Sequence, residues 1–193
     1  LFREYVAQLI EYDKKFLIIG NQNNATYKEI FHLIKENKIW LGYKSGNMAF
    51  KVPANSKERK TRFWIDESGQ KWRSLGNICW YTNLDIPKRH DNLPLYKTYS
   101  PEEYPTYDNY DAININKTAD IPCDFDGVMG VPITFLDKYS PEQFDILGMS
   151  ASAGYNPDIV GIPFKGEKDA RPLIHGKNTY ARVFIQKRKQ SEQ

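Results

Sequence analysis

The sequence is poor in cysteine and has no long apolar run, and both shortages narrow what it can be. Only Cys79 and Cys123 occur, far apart and each in an apolar or aromatic context. Neither a disulfide framework nor a paired-cysteine metal site is expected, and both thiols read as reduced core residues. No stretch approaches the roughly 18 apolar residues of a membrane-spanning helix, and no secretory pattern opens the chain, so a cytoplasmic protein without a membrane partner is expected. Also missing are a GxGxxG turn, a P-loop, an HExxH helix and a GxSxG elbow, which withdraws support from nucleotide cradling, zinc hydrolysis and serine catalysis. Asp124-Phe125-Asp126-Gly127 offers two carboxylates but not the further oxygen ligands and distant Glu of an EF-hand, so it reads as an Asp-Gly turn and no metal site is expected. His32, His90 and His175 are scattered, and none has a sequence neighbour that marks it as a catalytic base.

What is present points to a folded chain. Its 193 residues can bury one substantial core, or one domain plus part of another. Apolar residues make up 40% and aromatics 14%, with 13 Tyr and 10 Phe, unlike the aromatic-poor balance of disorder. A net charge of +3 is too small to argue for nucleic acid by itself. Two local runs matter more: Lys57, Arg59, Lys60 and Arg62, and the C-terminal Lys187, Arg188 and Lys189. Each is either a solvated surface or a set of phosphate contacts.

The chain enters a helical pattern at once, with Phe2, Tyr5, Val6, Leu9 and Ile10 at i, i+3, i+4, i+7 and i+8. A cut at the end of another element, or a processed terminus, would both look like this. Phe16-Leu17-Ile18-Ile19 before Gly20 has the pattern of a strand buried on both faces. Thr26 and Glu29 form a capping box for a helix running to Asn37, and Ile39 to Tyr43 reads as the next strand. Helix, strand, helix, strand at these spacings is the rhythm of an open α/β sheet. Ligands of such sheets sit in loops beyond the strand ends, which points to Asn21, Gln22, Asn23 and Asn24, although Asn-rich segments also make plain turns.

From Lys44 to Ser74 the chain is polar and basic, and the Asp66-Glu67-Ser68-Gly69 turn between Phe63-Trp64-Ile65 and Lys71-Trp72-Arg73 predicts a β-hairpin. Asn77 to Thr82 is a further strand. Between Pro87 and Pro122, prolines and tyrosines recur without a period, which predicts irregular structure packed on its own domain or, alternatively, aromatics stacking on bases. Val131–Leu136, Ile159–Ile162 and Ala181–Ile185 read as strands, and Ser140-Pro141 starts a short helix.

Three segments taken together resemble the EcoRI-type adenine-specific DNA methyltransferases: Leu1 to Tyr43, Leu75 to Asp85 (LGNICWYTNLD) and Ile121 to Tyr139 (IPCDFDGVMGVPITFLDKY). The ending from Arg171 to Lys187 (RPLIHGKNTYARVFIQK) is similar to that family's C-terminus. The resemblance implies transfer of a methyl group from S-adenosylmethionine to adenine N6 in double-stranded DNA, within a restriction-modification system. It also implies an α/β fold: residues 1–83 as the second half of a Rossmann-like methyltransferase sheet with a hairpin insertion at about 44–76, and residues 84–193 as a mixed α+β recognition and C-terminal region. The Asn/Asp-Pro-Pro-Phe/Tyr tetrad of related enzymes, whose polar groups accept the N6 protons while its ring stacks on a flipped adenine, is absent from these residues. By analogy it lies before Leu1, with the cofactor loop further upstream, so no catalytic residue is assigned here. The chain alone is expected to be inactive, not to bind S-adenosylmethionine, and to pair with the N-terminal remainder of the same enzyme. Asn21 and Asn23 become candidates for the pocket edge. Lys57, Arg59, Lys60, Arg62, Trp80, Tyr81, Asn83, Lys88 and Arg89 become candidates for DNA contact. The other reading is a DNA-binding or interaction domain that performs no catalysis.

Overall fold

The computed structural model describes residues 2–150, 157–166 and 169–189. The chain divides into two compact units, Leu1–Ile30 with Ile39–Leu84, and Phe31–Lys38 with Asp85–Gln193. The expected helix over Leu1 therefore begins, among the described residues, at Phe2. The first unit contains α1 (Phe2–Glu11), β1 (Leu17–Asn21), β2 (Trp40–Lys51), β3 (Phe63–Ile65) and β4 (Lys71–Thr82); α2 (Lys28–Lys35) divides between the units. Both helices end on a short polar residue in the left-handed region, Asp13 (φ 46) and Asn37 (φ 56). There the amides of Lys14 and Lys38 reach back 2.8 Å to Leu9 and Leu33.

The first sheet has the order β1-β4-β2, entirely antiparallel, with β3 also pairing β4. Val6, Ile30, Leu41, Cys79 and Tyr81 are buried. Phe2 meets the Tyr81 ring edge-on at 5.1 Å. The Phe16–Ile19 run is not buried on both faces. Leu17 is 54% and Ile19 41% exposed, because alternate positions of β1 face opposite sides of the sheet and that side is open among the described residues. The Thr26–Glu29 capping box does not form either. Asn21 opens a 3-10 turn over Gln22–Thr26, and Thr26 Oγ1 donates to Asn23 O (2.8 Å) inside it. Glu29 instead accepts from Arg3 at the helix surface.

The second unit is built on β5 (Ile113–Asn114), β6 (Met129–Val131), β7 (Phe144–Met149) and β10 (Val183–Lys187), in the order β5-β6-β10-β7; only β5-β6 is parallel. A short helix α3 (Pro157–Val160) packs on β7, and β8 (Leu173–Ile174) pairs β9 (Lys177–Asn178). Three sequence expectations change here. Pro132, which lacks an N–H and holds φ at −64°, ends β6, so Ile133–Lys138 coils into a 3-10 helix with adjacent Phe135 and Leu136 both buried. Ser140 begins a single turn, its carbonyl accepting from Gln143 and Phe144, before the chain extends into β7, a strand the sequence reading missed. Ile159 and Val160 belong to a helix: Pro157 starts it and Gly161 (φ 67) stops it. At Gly148 of β7 an added Cβ would stand 1.8 Å from Val160 O, so only glycine admits the α3 backbone.

The Tyr-rich segment packs within its own unit. Tyr104, Tyr107 and Tyr110 are buried, and their hydroxyls donate to Asp120 O, Asn114 Oδ1 and Ala170 O. Phe184, fully buried on the central strand, lies 4.7 Å from the Tyr110 ring and 6.4 Å from Tyr107. Cys79 is buried as expected, but Cys123 is exposed, because it follows Pro122 in a loop outside the sheet. Replacing Phe184 by Ala removes the ring at the centre of this packing and is expected to destabilise the protein by about 3–5 kcal/mol; equilibrium urea unfolding measures it.

Candidate nucleic-acid interface

β4 is twelve residues long, more than twice the length of β1 beside it. Its C-terminal half lies between β1 and β2, while its N-terminal half, paired with β2 and β3, runs out as an arm. The turn at the arm's end is set by Asp66. One carboxylate oxygen accepts from Ser68 N, Ser68 Oγ and Gln70 N at 2.6–3.0 Å, and the other accepts from Trp72 Nε1 at 2.8 Å. The Ser68 and Trp72 side chains hold this carboxyl down at about 2.

Register gives the arm two different faces. Lys51, Trp72 and Trp64 are directly opposite one another on adjacent strands and share one side. The two indoles stack at 6.1 Å and 3°, with Lys51 Nζ 5.5 Å over the Trp72 ring. On the other side, Lys71 reaches Ser56 O (3.2 Å) and Glu58 (3.7 Å), so the connection between β2 and β3 lies over that face. The first face is open.

Charge is concentrated on the arm. Residues 44–76 hold eight Lys/Arg against three Asp/Glu, a net +5, while the rest of the chain is net −2. Lys57, Arg59, Lys60 and Arg62 are exposed, and their side chains have no hydrogen-bond or ion-pair partner among the described residues. Lys51, Trp64, Trp72 and Arg73 were not singled out from sequence. The net charge of this window and the pairing counted outward from the Asp66 turn would have found them.

The remaining sequence candidates fall in other surroundings. Tyr81 is fully buried and donates to Asn21 O (2.9 Å) and Gln22 O (3.2 Å); burial pushes its phenol well above the ordinary value. It is a core residue and not a DNA-facing one. Asn83 likewise is tied to backbone, accepting from Phe16 N and donating to Lys14 O. Trp80 is half-buried against Gly42. Lys88 pairs with Asp137 at 2.9 Å, and Arg89 donates to Asn37 Oδ1 at 2.8 Å. Asn21 and Asn23 are exposed beside the base of the arm, where Asn21 Oδ1 accepts from Asn23 N (2.9 Å) and Asn77 Nδ2 (3.3 Å). These two do make turn chemistry.

His90 has partners that sequence did not reveal. Its Nδ1 lies 2.7 Å from Glu142 and its Nε2 2.7 Å from Asp85, and the two carboxylates, Glu142 foremost, raise its pKa. Among the described residues no group of His, Cys, Asp and Glu is arranged to hold a metal ion, and no helix is long and apolar enough to cross a membrane. A cavity of about 760 Å³ in the second unit is walled by charged side chains, including Asp126, Glu142, Lys187, Arg188 and Lys189.

Residues 1–189 match the family model of the adenine-specific methyltransferase EcoRI. The chain belongs to this family. It is 50% identical over 194 residues to the Type II methyltransferase M.EcoRI of Escherichia coli, a match covering 98% of this chain and 55% of that protein. It is 34% identical to the Type II methyltransferases M.MgeORF184P of Mycoplasma genitalium and M.MpnI of Mycoplasma pneumoniae, covering 97% of this chain and 61% of each. The chain thus spans a little over half the length of these EcoRI-family relatives. No solved structure matches it.

The His90 bridge predicts a pH dependence. A raised pKa in the folded state means its contribution is complete below the unfolded value of about 6.5 and is lost as pH rises through the folded value. In urea unfolding, the advantage of wild type over His90→Gln should be larger at pH 5.5 than at pH 9; an advantage that does not vary with pH would remove the imidazolium from the account.

Proposed function

We propose that the intact protein is an S-adenosylmethionine-dependent DNA adenine-N6 methyltransferase of a restriction-modification system, and that this chain supplies the part that holds DNA. Family membership carries the reaction class. The arm carries the assignment of DNA holding: eight cations on 33 residues, four of them exposed and unpaired, next to a face of stacked indoles. Lys57, Arg59, Lys60 and Arg62 contact phosphates, each displacing condensed counterions on binding.

The β1-β4-β2 order is the outer part of a Rossmann-like sheet that continues past β1 in the N-terminal remainder of the enzyme. Two observations support this. The outer edge of β1 pairs with nothing among the described residues, and Leu17 and Ile19, with half-buried Trp80 across from Ile19, leave one side of the sheet open. Residues 1–83 then form the second half of the catalytic domain, and residues 84–193 form the recognition and C-terminal region.

The cofactor supplies an electrophilic methyl group, but the residues present here do not build its cradle. The chain has no Gly-rich turn and no Asn/Asp-Pro-Pro-Phe/Tyr tetrad. The oxygen of Asn21 that faces the loop is already taken by Asn23 N and Asn77. Asn21 and Asn23 accordingly line the pocket's edge in the intact enzyme, and no chemical step is assigned to them.

Two measurements test this reading. In calorimetry S-adenosylmethionine should bind the intact protein and not residues 1–193 alone; micromolar binding by the latter would show that the cradle lies here. Duplex DNA affinity should fall steeply with salt, and replacing Arg59, Lys60 and Arg62 together by Gln should reduce the slope of log K against log salt by about 3. An unchanged slope would remove the arm from the DNA surface.

A further inference from the structure

Arg62 differs from the other cations of the arm in how it is held. It adopts a left-handed backbone conformation, φ 56, where a non-glycine residue is uncommon. Its carbonyl accepts from Ser74 N at 2.9 Å, which ties that conformation to β4. The guanidinium then lies directly on the backbone at Gly76. A Cβ added at Gly76 would stand 2.7 Å from Nη1 and 3.0 Å from both Cζ and Nη2. Gly76 is therefore a seat, and any larger residue would displace the group that occupies it.

The seated guanidinium has no ion-pair partner among the described residues. Of the three acids on the arm, Asp66 is consumed by its turn, Glu67 lies in that turn, and Glu58 reaches Lys71 on the opposite face. Gly76 shares its side of β4 with Trp72 and Ser74, so Arg62 sits on the open face with Lys51, Trp64 and Trp72. One residue further, Asn77, itself in the left-handed region (φ 58), donates to Asn21 Oδ1 in the loop after β1.

We propose that Arg62, seated on Gly76, is a preorganised contact for a backbone phosphate of duplex DNA, and that the duplex lies against the open face of the arm. This rests on the DNA-holding reading above and adds which face and which cation are built for it. A planar fork of donors matches a phosphate in two-point geometry. Holding the fork in place before binding lowers the ordering cost that a freely rotating cation must meet. The contact is independent of base sequence.

The test is a double-substitution cycle on the intact protein, read by fluorescence anisotropy with a labelled duplex over a salt series. Arg62→Gln should weaken binding about fivefold and lower the salt slope by about 1. Gly76→Ala, which changes no charge, should cause a comparable loss by lifting the guanidinium off its seat. Combined, the two should be no worse than Arg62→Gln alone. If Gly76→Ala binds like wild type, or if its loss persists in full on the Arg62→Gln background, the seat is not a DNA contact and the proposal fails. Should both single variants bind like wild type while Lys57→Gln with Lys60→Gln weakens binding, the loop cations hold DNA without the seat, which overturns the proposal and leaves the DNA-holding reading standing. Absence of duplex binding by wild type would overturn both.

Discussion

The first unit depends on one long antiparallel strand. β4 donates and accepts along twelve residues, and three other strands take their positions from it. Because an interior strand has its backbone groups met on both edges, β4 can run beyond the body of the sheet without exposing a bare edge; β3 covers the side that β1 leaves. The cross-strand row Lys51, Trp72 and Trp64 and the Asp66 turn then stiffen the extension. An arm of this kind can carry unpaired positive charge, since its folding does not rely on satisfying those charges.

That last property separates the two units electrostatically. In the second unit many polar side chains close on one another: Lys88 with Asp137, Arg188 with Asp145, His90 between Asp85 and Glu142, Lys187 with Asp126. The solvent-exposed ones among these pairs add little to stability, and together the pairs leave little net field. On the arm the side chains of Lys57, Arg59, Lys60 and Arg62 have no ion pair among the described residues, near a stacked indole pair, which suits a partner that is itself highly charged and able to pay their solvation back. Within the proposed enzyme, the arm would fix the duplex while the chemistry takes place on residues outside this chain.

The family was legible in the sequence because several long segments coincide in order, and the hairpin was legible because Asp66-Glu67-Ser68-Gly69 separates two β-forming triplets. Two of the departures share a cause, an apolar run that suggests a strand when its neighbours are not weighed. Pro132 stops β6, and Pro157 with Gly161 bounds a helix where Ile159 and Val160 suggested extension. Tyr81 is a candidate for DNA contact by its position in the sequence alone, yet on β4 it is fully buried and edge-on to Phe2. Arg62 was grouped with Lys57, Arg59 and Lys60 because all four are basic. Only the fold shows that Gly76, fourteen positions later, lies beneath it.

The claim at the centre of this account is that DNA is held by the arm. Amide hydrogen exchange of the intact protein, with and without a saturating duplex, addresses it directly. The account predicts slowed exchange across residues 44–77, strongest around Arg62 and Gly76. Protection confined to residues 85–189, with the arm exchanging as in the free protein, would contradict it.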